Sequence, residues 1–203
     1  MSSVSKYHHG DLHAALLREA HVLLHEDGIE GLSLRKLAER VGVSRTAPYH
    51  HFRDKHELLC ALATDGFRSL EHMMALSPLQ PGETLAAELR EFVTAYLRFA
   101  TEHPHQYDLM FGRPIWKSGR PTDELKAIAY GAFRRYADNI GALVDKGQVS
   151  GAHNPLRFAQ ASWATLHGLC RLLLDGIYVN RADMEEMSEE AVQIMLSLVN
   201  RQA

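Results

Sequence analysis

Nine residues, SRTAPYHHF at positions 44 to 52, set a proline, a tyrosine, two adjacent histidines and a phenylalanine directly after the small turn Val41-Gly42-Val43. Three chemistries could use these side chains: a metal centre, an acid–base pair, or a surface that donates hydrogen bonds to nucleic acid. Neighbouring residues on a helix project roughly 100° apart, so His50 and His51 do not converge on one ion, and the segment has no carboxylate or thiol at ligand spacing. His103-Pro104-His105 has a His-x-His spacing but likewise lacks Cys or carboxylate partners. No metal and no cofactor are expected. On a short helix starting near Arg45, the outward face collects Arg45, Thr46, Tyr49, His50 and Arg53, while Ala47, His51 and Phe52 turn toward the preceding helix. The outward set can donate to phosphates and base edges, and the Thr46 methyl can meet a thymine methyl.

Charge supports the third chemistry. The chain of 203 residues carries a net −3, which argues against indiscriminate coating of nucleic acid. Between residues 35 and 55, however, Arg35, Lys36, Arg40, Arg45, Arg53 and Lys55 stand against only Glu39 and Asp54. One short basic region inside an acidic chain is what a compact reader attached to a larger, non-binding body would show.

The elements that must position these residues are helical, because no sustained alternation of β-branched and aromatic residues occurs and 3.6-residue spacing recurs throughout. The chain reads as all-α. A first helix is expected from about Asp11 to Asp27, with Leu12, Leu16, Ala20, Leu23 and Leu24 on one face and Gly28 placed to end it. Ser33 sits where an N-cap belongs, ahead of the stripe Leu34, Leu37, Ala38 and Val41, which leaves Arg35, Lys36, Glu39 and Arg40 outside. Gly42 supplies a tight turn, Val43 plugs the space between helices, and Ser44 can cap a short following helix. Pro48 falls within the first turn or so of that helix: it removes at most the first intrahelical bond if Ser44 is the cap and none if Thr46 is, so the helix is expected to survive with an irregular start. Helix, three-residue turn, short helix is the helix-turn-helix arrangement, with Lys55 opening the next helix beside the groove.

From Gly28 to Leu59 the chain, GIEGLSLRKLAERVGVSRTAPYHHFRDKHELL, resembles the DNA-binding domain of the TetR family of bacterial transcriptional regulators. That family's pattern runs S-L-R-x-[LI]-A-x-x-x-G-V-S and ends Y-x-H-F-x-x-K-x-x-L. Carried over by position, the resemblance implies Tyr49, His51 and Lys55 at phosphates and Arg45, Thr46 and His50 toward the bases. Pro48 departs from the apolar branched residue often found there. Ser33, Arg35 and Ser44 complete the candidate DNA-binding set.

The long helix from Asp54 carries Leu58, Leu59, Leu62, Phe67, Leu70, Met73 and Met74 until Ser77-Pro78. Further helices are expected over 84–102, 104–111, 122–146, 155–178 and 184–201. That makes nine, in agreement with the TetR plan of a three-helix N-terminal domain (1–53) and a larger C-terminal bundle (54–203) joined by a bridging helix (54–76). WATLHGLCRLLLDG, residues 163 to 176, resembles the Trp-x-x-x-His-Gly signature of one C-terminal domain type in the family. Phe158, Ser162, Leu166, Leu169, Leu173 and Ile177 line one face of that helix, and Met187, Ala191, Ile194, Met195 and Leu198 mark the last one. The resemblance implies that these two helices pair with a second copy, giving a homodimer that presents two heads to a palindromic site on double-stranded DNA. A plain core reading of both stripes stands beside it. A small-molecule effector pocket in the bundle would draw on Tyr96, Phe99, His103, Phe111, Trp116, Tyr130, Phe133, Trp163 and His167, the aromatic and imidazole groups between the fifth and eighth helices.

The resulting expectation is a DNA-binding regulator, a repressor released by an effector. The alternatives are a regulator answering to a protein partner and a helical enzyme, for which the sequence offers no nucleophile elbow, phosphate-cradling glycine loop or paired metal motif. No stretch reaches the roughly 18 apolar residues of a membrane helix, and MSSVSKYHHG lacks the apolar core of a signal peptide, so a cytoplasmic protein is expected. Cys60 and Cys170 are isolated and read as buried small hydrophobes.

Overall fold

The computed structural model describes residues 12–79, 85–117, 120–148, 154–177 and 181–197. Among the described residues there is helix and turn and no strand. The elements are α1 (Leu12–Gly31), α2 (Leu34–Val41), a 3₁₀ turn (Ala47–His50), α3 (Lys55–Leu76), α4 (Leu85–Glu102), α5 (Pro104–Phe111), α6 (Arg113–Trp116), α7 (Asp123–Asp145), α8 (Pro155–Leu174) and α9 (Arg181–Ser197). The all-α class holds. The expected set of nine does not hold element by element, since the third helix is a 3₁₀ turn and the single-turn α6 has no counterpart in the sequence reading.

The chain forms two compact units. One contains the sequence up to Gly66 together with His105–Lys126, and the other contains Phe67–Pro104 with the sequence from Ala127 onward. The covalent chain therefore passes between units three times: within α3, just after Pro104 and within the first turn of α7.

In the first unit, α1 buries Leu16, Ala20, Leu23 and Leu24, α2 buries Leu34, Leu37 and Ala38, and α3 contributes Leu58, Leu62 and Ala63. These positions recur at three and four residues, so each helix turns one apolar stripe inward. The backbone leaves helical geometry at Gly28 (φ 65, ψ −169) and resumes for one short turn before Leu32. Helix α5 seats on α3: Gln106 Nε2 donates to the Leu62 carbonyl at 2.6 Å, and a Cβ on Gly66 would lie 2.6 Å from both Gln106 Nε2 and Met110 Sδ. Trp116 Nε1 donates to the Met110 carbonyl at 2.6 Å, tying α6 to the end of α5.

In the second unit, α4 packs on α8 and α9 and buries Leu85, Leu89, Phe92, Val93, Tyr96, Leu97 and Ala100. The Arg90 guanidinium grips the Glu189 carboxylate with two hydrogen bonds of 2.9 and 3.1 Å, joining α4 to α9. At this degree of exposure the pair adds register more than stability.

Gly42 ends α2 in left-handed conformation (φ 75, ψ 33), with the Val43 N–H on the Ala38 carbonyl at 2.9 Å and the Gly42 N–H on the Glu39 carbonyl at 3.2 Å. This is the paired-bond helix stop that glycine accepts without Cβ strain. Nothing lies within 4 Å of a Cβ built there, so backbone strain alone is at stake. Gly42→Ala is expected to cost about 1 to 2 kcal/mol in denaturant unfolding; an unchanged midpoint would show that the turn relaxes out of the left-handed region.

Candidate nucleic-acid interface

Ser33 stands in extended conformation ahead of α2, and its Oγ accepts from the Lys36 N–H at 3.1 Å. The cap expected there is present. Beyond Gly42 the expected short helix is absent. The Ala47, Tyr49 and His51 N–H groups reach the Ser44, Thr46 and Pro48 carbonyls at 3.0, 3.1 and 3.0 Å, all three-residue spacings, and only Phe52 adds a four-residue bond, at 2.9 Å to Pro48. Pro48 has no N–H to give the Ser44 carbonyl, so the α-helical ladder cannot start and the tighter 3₁₀ form takes its place. Thr46, not Ser44, occupies the cap position, and it makes no side-chain cap bond. The Ser44 hydroxyl instead meets the Thr46 hydroxyl at 3.2 Å.

A four-residue turn cannot orient itself, and its inward side chains do that work. Pro48 is buried, Phe52 is 2% exposed, and Ala47 and His51 are half-buried. The Phe52 ring stacks on His13 of α1 with centroids 5.1 Å apart and planes at 29°, and His51 tilts against the same imidazole at 5.8 Å. His13 was missed in the sequence because its contact is made across 39 residues and no local pattern marks it. The outward side is what remains: Ser44, Arg45, Thr46 and His50 are exposed and Tyr49 is 55% exposed, an unusual position for a large ring.

The six cations between residues 35 and 55 sort into two groups. Lys36 Nζ donates to Asp27 Oδ2 at 2.5 Å, Arg40 Nε to Glu19 Oε1 at 2.6 Å with Nη1 on Glu26 Oε2 at 3.1 Å, and Arg53 Nε to Asp54 Oδ2 at 3.3 Å. Arg35, Arg45 and Lys55 enter no ion pair among the described residues. Arg35 and Arg45 are exposed and Lys55 is half-buried at the start of α3. Asp54 caps that helix: its Oδ1 accepts from the Glu57 N–H at 2.9 Å, while Glu57 Oε2 reaches back to the Arg53 N–H at 2.6 Å. The bond from the Glu57 N–H holds the Asp54 carboxyl below its ordinary range.

Of the aromatic and imidazole candidates for a pocket, Tyr96, Phe133 and Trp163 come together in the second unit. The Trp163 ring meets Tyr96 edge-on at 5.5 Å and Phe133 at 5.8 Å. The sequence reading missed the centre of this cluster, Tyr136 and Phe92, stacked at 5.7 Å. Tyr136 lies 5.1 Å from Trp163 and its hydroxyl pairs with the Ser162 hydroxyl at 2.8 Å; burial pushes its pKa up to about 12. His167, one turn beyond Trp163 on α8, is held below its usual pKa by burial and then by Arg171. Phe99 and His103 form a separate ring pair at 6.0 Å at the end of α4. Phe111 meets Tyr107 at 4.8 Å with the rings tilted by 48° in the first unit, where Trp116 also lies, and Tyr130 is 67% exposed on α7.

The stripe marked for pairing with a second copy is partly covered already. Ser162, Leu166, Ala191 and Met195 are buried within the single chain, because α8 and α9 turn these positions toward α4 and one another. Phe158, Leu169, Leu173 and Met187 are half-buried, and Ile177 and Ile194 are 63% and 56% exposed. Leu198 lies outside the described residues. Both cysteines are buried, and neither forms a disulfide. No described helix is long and apolar enough to cross a membrane, and no cluster of three metal-ligating side chains occurs among the described residues.

Residues 16–62 match the family described as bacterial regulatory proteins of the tetR family, and residues 89–195 match a tetracyclin repressor-like C-terminal domain. Over 186 residues, 92% of this chain and 90% of the other, the sequence is 31% identical to an HTH-type transcriptional repressor, Rv1474c, of Mycobacterium tuberculosis. It is 30% identical over 81% of its length, and 80% of the other, to the HTH-type transcriptional repressor AcnR of Corynebacterium glutamicum. A class A tetracycline repressor of Escherichia coli is 56% identical over 48 residues, 24% of this chain, and the matched region spans about a fifth of that relative, 22%. A solved protein of unknown function from Rhodococcus superposes with a TM-score of 0.83 at 29% identity, covering 97% of this chain and all of the other.

The Asp54 cap generates a pH-dependent expectation. A carboxyl whose pKa is lowered on folding contributes stability above its unfolded value, near 4, and that contribution disappears as pH falls through the lower folded value. Asp54→Ala is expected to cost roughly 1 kcal/mol at neutral pH. In urea titrations the gap between parent and variant should close in acid; a gap independent of pH would mean that the carboxylate charge is not what caps α3.

Proposed function

The chain belongs to the TetR family of bacterial regulators, and on that premise we propose that it is a sequence-specific DNA-binding transcriptional regulator, a repressor released from its operator by a small-molecule effector. One observation carries the reading: an exposed group of Arg45, Thr46, Tyr49 and His50 on a turn whose back, Pro48 and Phe52, is fastened in the core. A large exposed ring among donors, held firmly from behind, suits a groove reader. Tyr49, His51 and Lys55 take phosphates, Arg45, Thr46 and His50 take base edges, and Arg35, with the capped start of α2 at Ser33, lies along the sugar–phosphate backbone.

The regulator works as a homodimer on a palindromic site, with half-sites one helical turn, about 34 Å, apart. The exposed Ile177 and Ile194 supply apolar surface for a partner on the α8 and α9 side. The effector enters the second unit beside Tyr96, Phe133, Trp163 and His167, where aromatic walls and few polar anchors suit a small organic molecule. Residues 54–76 act as the bridge: α3 is continuous through both units, so a ligand that favours one tilt of this helix shifts the spacing of the two heads.

Tyr49→Ala is expected to weaken operator binding by roughly 1 to 3 kcal/mol while leaving the circular dichroism spectrum and the oligomeric state unchanged; undiminished affinity would remove the 3₁₀ turn from the interface. Lys55→Ala should weaken binding to all sequences alike and lower the salt slope by about one. A changed sequence preference in that variant would refute a phosphate contact.

A further inference from the structure

The acidic side of α1 bears directly on how the proposed reader distinguishes its site from bulk DNA. Asp27 holds Lys36, and Glu19 and Glu26 together hold Arg40, so two of the four cations on α2 and the turn after it are occupied by carboxylates nine to twenty-one residues upstream. The Glu19 carboxylate, and next Glu26, hold the Arg40 proton more firmly than usual. All these side chains keep between 26% and 46% of their surface, so the pairs are shallow and a phosphate can compete for either cation.

We propose that Glu19, Glu26 and Asp27 are specificity-determining residues that withhold Lys36 and Arg40 from phosphates and so suppress non-specific DNA binding, an inference that rests on the DNA-reading face proposed above. Non-specific affinity depends on how many phosphates are neutralised in any of many loose poses, so each cation held back removes one released counterion and weakens every such pose. Base reading by Arg45, Thr46 and His50 uses side chains that no acid of α1 touches. Discrimination therefore rises without a change in the reading turn.

The arrangement around Arg40 gives the inference a signature. Either glutamate alone still holds the guanidinium, so Glu19→Gln or Glu26→Gln should do little, while the double variant should release it. Binding to a short duplex of arbitrary sequence, titrated against salt, is expected to tighten up to about fivefold in the double variant, with a slope steeper by about one. Adding Arg40→Gln should return both values. Asp27→Asn should do the same as the double variant by releasing Lys36. Glu30→Gln serves as the control, since Glu30 is exposed and enters no ion pair among the described residues, so it adds one unit of charge without freeing a cation. A Glu19→Gln/Glu26→Gln double variant and an Asp27→Asn variant that bind no more tightly than Glu30→Gln would overturn the inference while leaving the DNA-reading face intact. A parent protein with no salt-dependent binding to any duplex would overturn that face itself. A folding defect cannot imitate the expected result, because it lowers affinity.

Discussion

Everything at the proposed interface depends on a turn that cannot hold its own direction. Pro48 withdraws the one N–H that would begin an α-helical ladder, leaving four residues in 3₁₀ form with three short-range bonds. The pose of Arg45, Thr46, Tyr49 and His50 is then decided from behind, by Pro48 and Phe52 in the core and by the Phe52 ring against His13. Truncating Phe52 would remove that anchor as well as the ring's own burial, at a cost of the order of 3 to 5 kcal/mol. Rigid packing here replaces the hydrogen bonding that a longer helix would have provided.

The same head shows how packing and charge divide labour. Helix α1 supplies the ring on which Phe52 rests and also the acids that hold Lys36 and Arg40, so one helix both aims the reader and limits which cations are available to it. Helix α5, reached only after the chain has passed through α4, seats on α3 at Gly66 through Gln106 and Met110. The first unit thus contains a segment that is distant in sequence, and the chain crosses between units within α3, at the start of α5 and in the first turn of α7.

Much of this was legible in the residues. Asp54 and Ser77-Pro78 bracket α3, Pro104 opens α5, and Ser33 and Gly42 bracket α2, because capping and helix-breaking are local effects written at the ends of each element. The exposed set on the turn was legible for the same reason. What could not be read was non-local: His13 beneath Phe52, the acids that claim Lys36 and Arg40, and the membership of α5 in the head. The Thr46 cap and an irregular start were legible, but the full 3₁₀ form was not: a bond lost to Pro48 is tolerable in a longer α-helix and not in one of this length. In the bundle, periodicity marked Ser162 and Leu166 as apolar-facing but could not say that both are already buried within the single chain, Ser162 against the Tyr136 hydroxyl, nor that Tyr136 and Phe92 stand at the centre of the aromatic cluster.

The most direct measurement is a footprint of the purified protein on the DNA that flanks its own coding region, at low and at moderate salt. A protected inverted repeat with half-sites about one helical turn apart is expected, and it would establish the reading turn and the two-fold assembly in one experiment. Absence of protection at low salt, where phosphate contacts are strongest, would contradict the account at its centre.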